Sequence, residues 1–258
     1  MTAPPNKQAA ITSEQPSSFG SRRRSTFCVG ISSVLLLIVV VGFTRTFYFR
    51  PLFEVPPISL YLYVHGAILT AWFTGLVLQT TLVRSGRPDL HRRVGAVGVG
   101  IAVAVFVVSL LAVISFPARQ HLQGVDVEAA MARISRIVWI DLVALLAFST
   151  FVAAAVVLRQ RREFHKRFML LASVGIVQPA LARLFRLPVF SGILPDQFLS
   201  WATLVALVSS IAVHDLMTMR RIHPVTLVGG ALFLGLWTFA GHFFAGLDFA
   251  KALVRWVI

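Results

Sequence analysis

The chain has 258 residues, of which 57% are hydrophobic and 13% are charged, and its mean hydropathy is +0.81. Soluble domains carry about 25% charged residues, so this composition argues against a soluble globular enzyme and against a disordered chain. The net charge is +14, and the single cysteine, Cys28, excludes an intrachain disulfide framework and a cysteine metal cluster. Because the basic residues lie between long apolar runs, they indicate membrane topology rather than nucleic-acid binding.

Residues 1–26 are polar, rich in Pro, Ser and Gln, and end in the basic stretch Arg22 to Arg24. This composition predicts a disordered cytoplasmic tail. The apolar run that follows has no small-residue cleavage site, so we interpret it as a spanning helix rather than a signal peptide. The three arginines are interpreted as a topology anchor, since a twin-arginine signal matches them only loosely.

The rest of the chain, 27–258, is predicted to be one transmembrane helical domain. A spanning helix needs about 20 mostly apolar residues. Seven segments meet this condition: 27–44, 58–83, 94–116, 137–158, 168–187, 198–217 and 224–246. The fifth contains Pro179, which predicts a kink. The apolar runs are continuous rather than alternating, so the predicted fold is an all-α polytopic membrane bundle of about seven transmembrane helices.

The distribution of Lys and Arg predicts the orientation. With a cytoplasmic N-terminus, 15 of the 24 basic residues fall in the inner segments and 9 in the outer segments. Basic residues are enriched on the cytoplasmic side of membrane proteins. The sequence therefore predicts a cytoplasmic N-terminus and an external C-terminus.

Two predicted inner loops resemble each other, 86–93 and 160–167. The ungapped alignment pairs Arg87 with Arg161, Asp89 with Glu163, Leu90 with Phe164, His91 with His165, Arg92 with Lys166 and Arg93 with Arg167. Each loop joins two spanning segments that run in opposite directions. The hairpins 58–116 and 137–187 are therefore predicted to be parallel internal repeats, a device known from other membrane proteins. A chance match between two basic loops is the alternative.

Several short motifs between residues 43 and 232 resemble a group of uncharacterised bacterial multi-pass membrane proteins. The motifs are Phe49 to Phe53, Pro56-Pro57, His65-Gly66, Thr70 to Trp72, Gln79, Arg87 to Gly95, His165 to Ala172, Arg221 to Pro224 and Gly229-Gly230. This resemblance implies a multi-pass protein of the bacterial inner membrane and no particular activity. The chain is more loosely similar to small four-helix families, some of them associated with the assembly of haem-copper oxidases.

The two repeated loops also predict contacts with lipid. Histidines and cations that adjoin a membrane surface favour anionic head groups. The predicted head-group residues are His91, Arg92, Arg93, His165, Lys166 and Arg167. Membrane lipids are therefore the expected partners, together with a membrane protein partner if the chain is an accessory factor.

A second group of polar residues follows one face of the second segment. His65, Trp72 and Gln79 recur every seven residues, which places them within about 40° of one another on a helix. Ionisable groups at membrane depth are costly and are functional candidates by default. Two interpretations stay open: a seam that packs against neighbouring helices, or the wall of a cofactor site.

Other polar residues lie at a similar predicted depth. Asp141, His242 and His121 could join His65 in one outer pocket if their segments are neighbours. The predicted cofactor-binding residues are His65, Trp72, Gln79, Asp141 and His242. If a cofactor is bound, haem b with histidine ligands is the favoured one. For Asp141 the alternative is pairing with Arg133 or Arg136 near the start of its helix.

Three functions remain open from the sequence. The first is a non-enzymatic accessory, assembly or lipid-binding protein; the second is a haem b protein of membrane electron transfer; the third is a transporter of a small substrate. No metal-ligand spacing and no arrangement of nucleophile and base supports an enzyme. Few charges lie near mid-membrane to couple ions, which disfavours the transporter.

Overall fold

The computed structural model describes residues 18–53, 55, 57–190 and 192–256, with side chains from residue 26 onward. Throughout this part of the chain the regular structure is helical, which confirms the all-α fold. The ten α-helices are α1 (Ser18–Gly42), α2 (Leu60–Arg84), α3 (Pro88–Ile114), α4 (Phe116–Leu122), α5 (Met131–Val157), α6 (Arg162–Gly175), α7 (Gln178–Leu184), α8 (Asp196–Met219), α9 (Gly230–His242) and α10 (Asp248–Arg255). Short π-helical turns cover Thr44–Tyr48 and Val225–Gly229.

The number of spans is lower than the predicted seven. Within the described residues, five helical segments are long and apolar enough to cross a membrane, and a sixth arises if the bent pair α6 and α7 counts as one span. The first predicted segment, 27–44, forms most of α1, but its apolar stretch Thr26–Gly42 is shorter than a full span.

Helix boundaries also extend beyond the predicted apolar segments. The α3 helix begins at Pro88 and α5 begins at Met131, each before its predicted segment, because a helix that crosses the bilayer continues into the polar interface. The first helix likewise begins at Ser18, inside the predicted disordered tail. The remainder of that predicted tail, residues 1–17, lies outside the described residues.

The predicted interruption of the fifth segment is present. The α6 and α7 helices meet at an angle of 46° across Ile176 and Val177, and Pro179 stands in the first turn of α7. Proline lacks the N–H that would continue the α6 ladder, whereas it fits the first turn of a new helix. The break is packed inside the bundle, since Val174 and Val177 are fully buried.

The described bundle has two ends of different character. One end, which we call the basic end, contains the turns α2–α3, α5–α6 and α8–α9. The opposite end, which we call the loop end, contains the longer connections α1–α2, α3–α5 and α7–α8. The α5 helix is the packing centre: it contacts α3, α6, α9 and α10. Many large apolar side chains face outward, including Leu37, Val97, Val103 and Leu146. Such a surface requires a lipid environment.

The two repeated loops build the same local structure. Arg87 and Arg161, which the alignment pairs, are the residues that immediately precede α3 and α6. Their carbonyl groups accept from the backbone N–H groups of His91 and His165, at 3.1 and 3.0 Å. Beyond the first turns the hairpins differ, because α3 is continuous and α6 is broken. The equivalence of the whole hairpins therefore stays a prediction.

Candidate functional site

The polar stripe of α2 meets three different environments. The Trp72 indole donates to Ser173 Oγ on α6 at 3.2 Å and packs edge-on against Phe148 on α5, with ring centroids 4.9 Å apart. Only 5% of Trp72 is exposed. An indole in apolar surroundings needs such a partner for its N–H group. Trp72 thus packs as the seam interpretation describes.

Gln79 lies at the basic end of the stripe, next to α3. Its amide is oriented with the nitrogen toward His91 Nδ1, at 2.6 Å, and the oxygen toward the N–H of Gly95, at 2.8 Å, since the reverse orientation would oppose donor to donor and acceptor to acceptor. Gln79 therefore positions the imidazole of His91. It lies far along α2 from His65, so the stripe does not form one continuous site.

His65 lies at the loop-end half of α2. Its Nδ1 atom is buried without a hydrogen-bond partner, and the ring lies near the backbone of Val108 on α3. The charges of Arg119 and Arg183 act on this imidazole. A buried polar atom without a partner is uncommon and calls for a physical explanation.

Asp141 belongs to the same group. Arg183 is the charged residue that acts on its carboxylate, yet Asp141 makes no direct ion pair or hydrogen bond with a described side chain. The predicted pairing with Arg133 or Arg136 is not formed, because Arg136 donates to Gln197 at 2.8 Å and Arg133 to Gln120 at 3.5 Å. Both arginines point toward the loop end instead.

We call the four side chains His65, Arg119, Asp141 and Arg183 the outer cluster. They come from four helices, α2, α4, α5 and α7; the charges of both arginines act on His65, and the charge of Arg183 acts on Asp141. Sequence reasoning included His65 and Asp141 and missed both arginines. The available signal was the position of Arg183 inside the proline-interrupted segment, since membrane proteins place ligand groups at broken helices.

The other predicted members of the outer pocket lie elsewhere. His242 is exposed, and its Nδ1 faces the carbonyl of Thr238 in its own helix at 3.1 Å. His121 is exposed at the end of α4. Neither contacts His65 within the described residues. The geometry therefore does not assemble the histidine pair that the haem interpretation requires.

At the basic end the two repeated histidines meet. The rings of His91 and His165 lie perpendicular, with centroids 6.3 Å apart. His165 Nδ1 donates to the carbonyl of Ala155 on α5 at 2.9 Å when the proton is on that nitrogen. Both histidines are half-buried rather than enclosed in the bundle centre, and their contact with lipid head groups stays a prediction. The contact places the two repeated loops side by side.

Exposed cations surround this histidine contact. The side chain of Arg92 is 72% exposed, and Arg93 is exposed beside it. Lys166 is half-buried and pairs with Glu163 at 2.7 Å. Further exposed arginines at this end are Arg84, Arg87, Arg159, Arg161, Arg162, Arg220 and Arg221. They form one surface, which we call the cationic face.

Arg167 departs from the predicted head-group set. Its side chain is 1% exposed and forms a buried ion pair with Asp215 on α8, while its Nη1 also donates to Glu163 at 2.6 Å. A guanidinium in this position cannot reach a lipid phosphate. The aligned residue Arg93 faces outward, so the two copies of the loop use their last arginine differently.

Asp215 has two further hydrogen-bond donors beside this pair. Its carboxylate accepts from Thr226 Oγ1 at 2.6 Å and from the backbone N–H of His223 at 3.2 Å. His223 lies in the turn between α8 and α9, where burial, together with the positive charge of Arg167, lowers the pKa of its imidazole. The imidazole packs edge-on against Phe164. This network fixes the α8–α9 turn to α6.

Among the described residues no three His, Cys, Asp or Glu side chains come together as a metal site would require. The comparisons add no known relative. Scans against protein-family models, curated proteins and solved structures found no match for the chain.

Proposed function

We propose that this chain is a non-enzymatic multi-pass membrane protein whose cationic face binds anionic lipid head groups. The observation that carries the proposal is the contact between His91 and His165. The two basic loops are distant in sequence, but they form one surface because the centroids of these two rings are 6.3 Å apart. Each cation near an anionic membrane surface contributes about 1 kcal/mol of attraction.

The balance of charge on this face supports the assignment. Asp89 and Glu163, the acidic residues of the repeated loops, are each bonded to a cation of their own loop, Arg92 and Lys166 respectively. The remaining arginines are exposed and carry no carboxylate partner among the described residues. Phosphate oxygens are suitable partners because guanidinium groups bind them with two parallel hydrogen bonds.

The cationic face also supports a proposal for the membrane and the orientation of the protein. We propose the bacterial inner membrane, with the cationic face and the N-terminus in the cytoplasm, because basic loops are retained on that side. The resemblance to families associated with haem-copper oxidase assembly supports an accessory role for the lipid-bound protein. Haem binding has no geometric support, since His65 and His242 lie apart, and a Soret band from the purified chain would contradict this conclusion.

Lipid selectivity tests the proposal. The full chain is placed in nanodiscs that contain equal amounts of phosphatidylglycerol and phosphatidylcholine, and the lipids that remain bound are counted by native mass spectrometry. The test variant replaces Arg92, Arg93, Arg161 and Arg162 by Gln. The matched control replaces four loop-end arginines, Arg45, Arg133, Arg136 and Arg186, by Gln.

The wild-type chain and the control are expected to retain phosphatidylglycerol in preference to phosphatidylcholine. The test variant is expected to lose at least tenfold of that preference, since it removes four cations at about 1 kcal/mol each. Equal retention of the two lipids by the wild-type chain would overturn the proposal. So would an equal loss in the control, because a general effect of net charge would then suffice.

A further inference from the structure

The α10 helix has three faces of different character. Successive residues of an α-helix are about 100° apart around its axis. Ala250 and Val254 lie on one face and are buried, with 0% and 3% of their surface exposed. Phe249, Leu253 and Trp256 lie on a second face, within about 60° of one another. These three residues are 67%, 39% and 87% exposed. An apolar face of α10 therefore stays uncovered although the helix packs against the bundle.

Contacts with α5 fix the buried face of α10. The Trp139 indole donates to the carbonyl of Ala250 at 3.3 Å. Ser135 Oγ donates to the carbonyl of Ala245, in the turn before α10, at 2.8 Å. Val254 belongs to a buried apolar cluster with residues of α5. These contacts set the rotation of α10 about its own axis, so the exposed apolar face has a fixed direction.

The third face of α10 is polar. Asp248, Lys251 and Arg255 lie together on it, about 130° around the axis from the exposed apolar face. Lys251 pairs with Asp248 at 3.6 Å. Arg255 pairs with Glu128, in the connection between α4 and α5, at 2.8 Å. A helix with lysine and arginine on one face and phenylalanine, leucine and tryptophan on another is typical of segments that lie in the plane of the membrane interface.

The exposed apolar face follows a span that itself ends in exposed aromatic residues. The segment Val225–Gly246 is long and apolar enough to cross a membrane. Near its loop end Phe239 and Phe243 are 53% and 66% exposed, and their rings stack with centroids 6.1 Å apart. Leu247, between this span and α10, is 52% exposed. The exposed apolar residues thus extend from a span into α10, which favours lipid over a soluble partner as the occupant of this face.

We propose that α10 lies in the membrane interface at the loop end and anchors the bundle there. Phe249, Leu253 and Trp256 insert about 5–10 Å into the boundary between head groups and acyl chains. Lys251 and Arg255 stay on the head-group side. Because the buried face is fixed to α5, this insertion sets the depth of the whole bundle. The anchor goes beyond the proposed function, since it does not depend on lipid binding at the cationic face.

Spin labels on single cysteines test the environment of each face. Cys28 is the only cysteine of the chain, so Cys28→Ala gives a cysteine-free background. Phe249→Cys, Leu253→Cys and Trp256→Cys are introduced one at a time, labelled with a nitroxide and reconstituted in phosphatidylcholine vesicles. Asp248→Cys, on the polar face of the same helix, is the matched control. Power saturation measures collisions with oxygen, which concentrates in lipid, and with a nickel chelate, which stays in water.

The two faces are expected to differ in these collisions. At the three apolar positions the ratio of oxygen to nickel collisions is expected to be at least several-fold higher than at Asp248. An equal ratio would overturn the proposal, because the apolar face would then lie in water. Low collision rates with both reagents would also overturn it, since a protein would then cover the face. Dipolar broadening between labels would identify that protein as a second copy of the chain.

Tryptophan fluorescence gives a second test that needs no cysteine variant. The wild-type chain and Trp256→Phe are reconstituted in phosphatidylcholine brominated either near the glycerol or near the methyl end of the acyl chain. The emission that Trp256→Phe lacks belongs to Trp256, because both proteins retain Trp72, Trp139, Trp201 and Trp237. We expect bromine near the glycerol to quench this emission more strongly, since an interfacial helix inserts only about 5–10 Å. No quenching, or stronger quenching near the methyl end, would overturn the proposal.

Discussion

Arg167 and Asp215 form a buried ion pair that connects α6 to α8. The Arg167 Nε atom lies 3.0 Å from one carboxylate oxygen of Asp215 and 3.1 Å from the other, and each side chain is 1% exposed. The aligned residue of the first repeated loop, Arg93, is exposed. One copy of the loop therefore presents its last arginine to the surface, and the other uses it to hold the bundle together.

The ion pair predicts unequal effects of matched substitutions. Asp215→Asn or Arg167→Gln is expected to lower the free energy of unfolding by about 3–5 kcal/mol, because each leaves a buried charge without its partner. Arg93→Gln is expected to change it by less than about 0.5 kcal/mol, as for an ordinary surface substitution. Denaturant unfolding in mixed micelles measures both, and similar losses in Arg93→Gln and Arg167→Gln would contradict the assignment.

The double variant Arg167→Met/Asp215→Leu refines this test. Replacing both members of a buried pair by apolar residues is often neutral or stabilising. The double variant is therefore expected to recover most of the stability that either single variant loses. A loss equal to the sum of the two single losses would contradict the pairing, because additive effects mean that the two side chains do not interact.

The close crossing of α1 and α7 predicts that two glycine-to-alanine substitutions in α1 differ in their effect on stability. A Cβ atom added at Gly42 would stand 2.3 Å from the carbonyl oxygen of Ala180, whereas one added at Gly30 would meet no atom within 4 Å. Gly42→Ala is expected to destabilise by about 1–3 kcal/mol through overpacking. Gly30→Ala is expected to be neutral or to stabilise by up to about 1 kcal/mol, since alanine is the better helix former. Thermal unfolding in detergent compares the two, and an equally stable Gly42→Ala would refute the close crossing.

The bond between Trp72 and Ser173 connects α2 to α6 and can be isolated by a double-mutant cycle. Trp72→Phe, Ser173→Ala and the double variant are expected to give a coupling energy of about 0.6 kcal/mol, the average for hydrogen bonds between membrane helices. Unfolding free energies in mixed micelles supply the four corners of the cycle. Strict additivity of the two single effects would mean that the 3.2 Å contact contributes nothing.

The C-terminal helix α10 is expected to loosen in acid. Arg255 donates to both carboxylate oxygens of Glu128, at 2.9 and 2.8 Å, and this hydrogen bonding lowers the pKa of Glu128. A lowered pKa in the folded state means that the bond stabilises above the ordinary carboxyl pKa and is lost as the pH falls through the lowered value. Hydrogen exchange in Asp248–Arg255, corrected for its intrinsic pH dependence, should increase below about pH 4. In Glu128→Gln the exchange should be raised already at pH 7 and should change little with acid.

Orientation gives a further prediction, which rests on the excess of Lys and Arg at the basic end. Reporter fusions after residue 90 and after residue 163 are expected to read cytoplasmic, and a fusion after residue 258 is expected to read external. Consistently inverted reporter signals would refute the proposed orientation.

The sequence by itself determined the class of this protein and much of its local structure. Hydropathy over about 20 residues is sufficient to recognise membrane helices, because a lipid-exposed backbone must satisfy its own hydrogen bonds. The break before Pro179 was also predictable, because proline lacks the backbone N–H group and so interrupts the hydrogen bonding of the turn in which it stands. The loop alignment likewise paired Arg87 with Arg161, which stand at the same position before their helices.

Only the tertiary structure decided which polar groups meet. Nothing local distinguishes Arg93 from Arg167, yet one is exposed and the other binds Asp215, because α6 packs against α8 whereas α3 packs against α2 and α5. In the same way, the charge of Arg183 on α7 acts on His65 of α2 and on Asp141 of α5, which are distant from it in the sequence. Hydropathy and helix signals act over a few neighbouring residues, whereas the partners of a buried charge depend on the arrangement of the whole bundle.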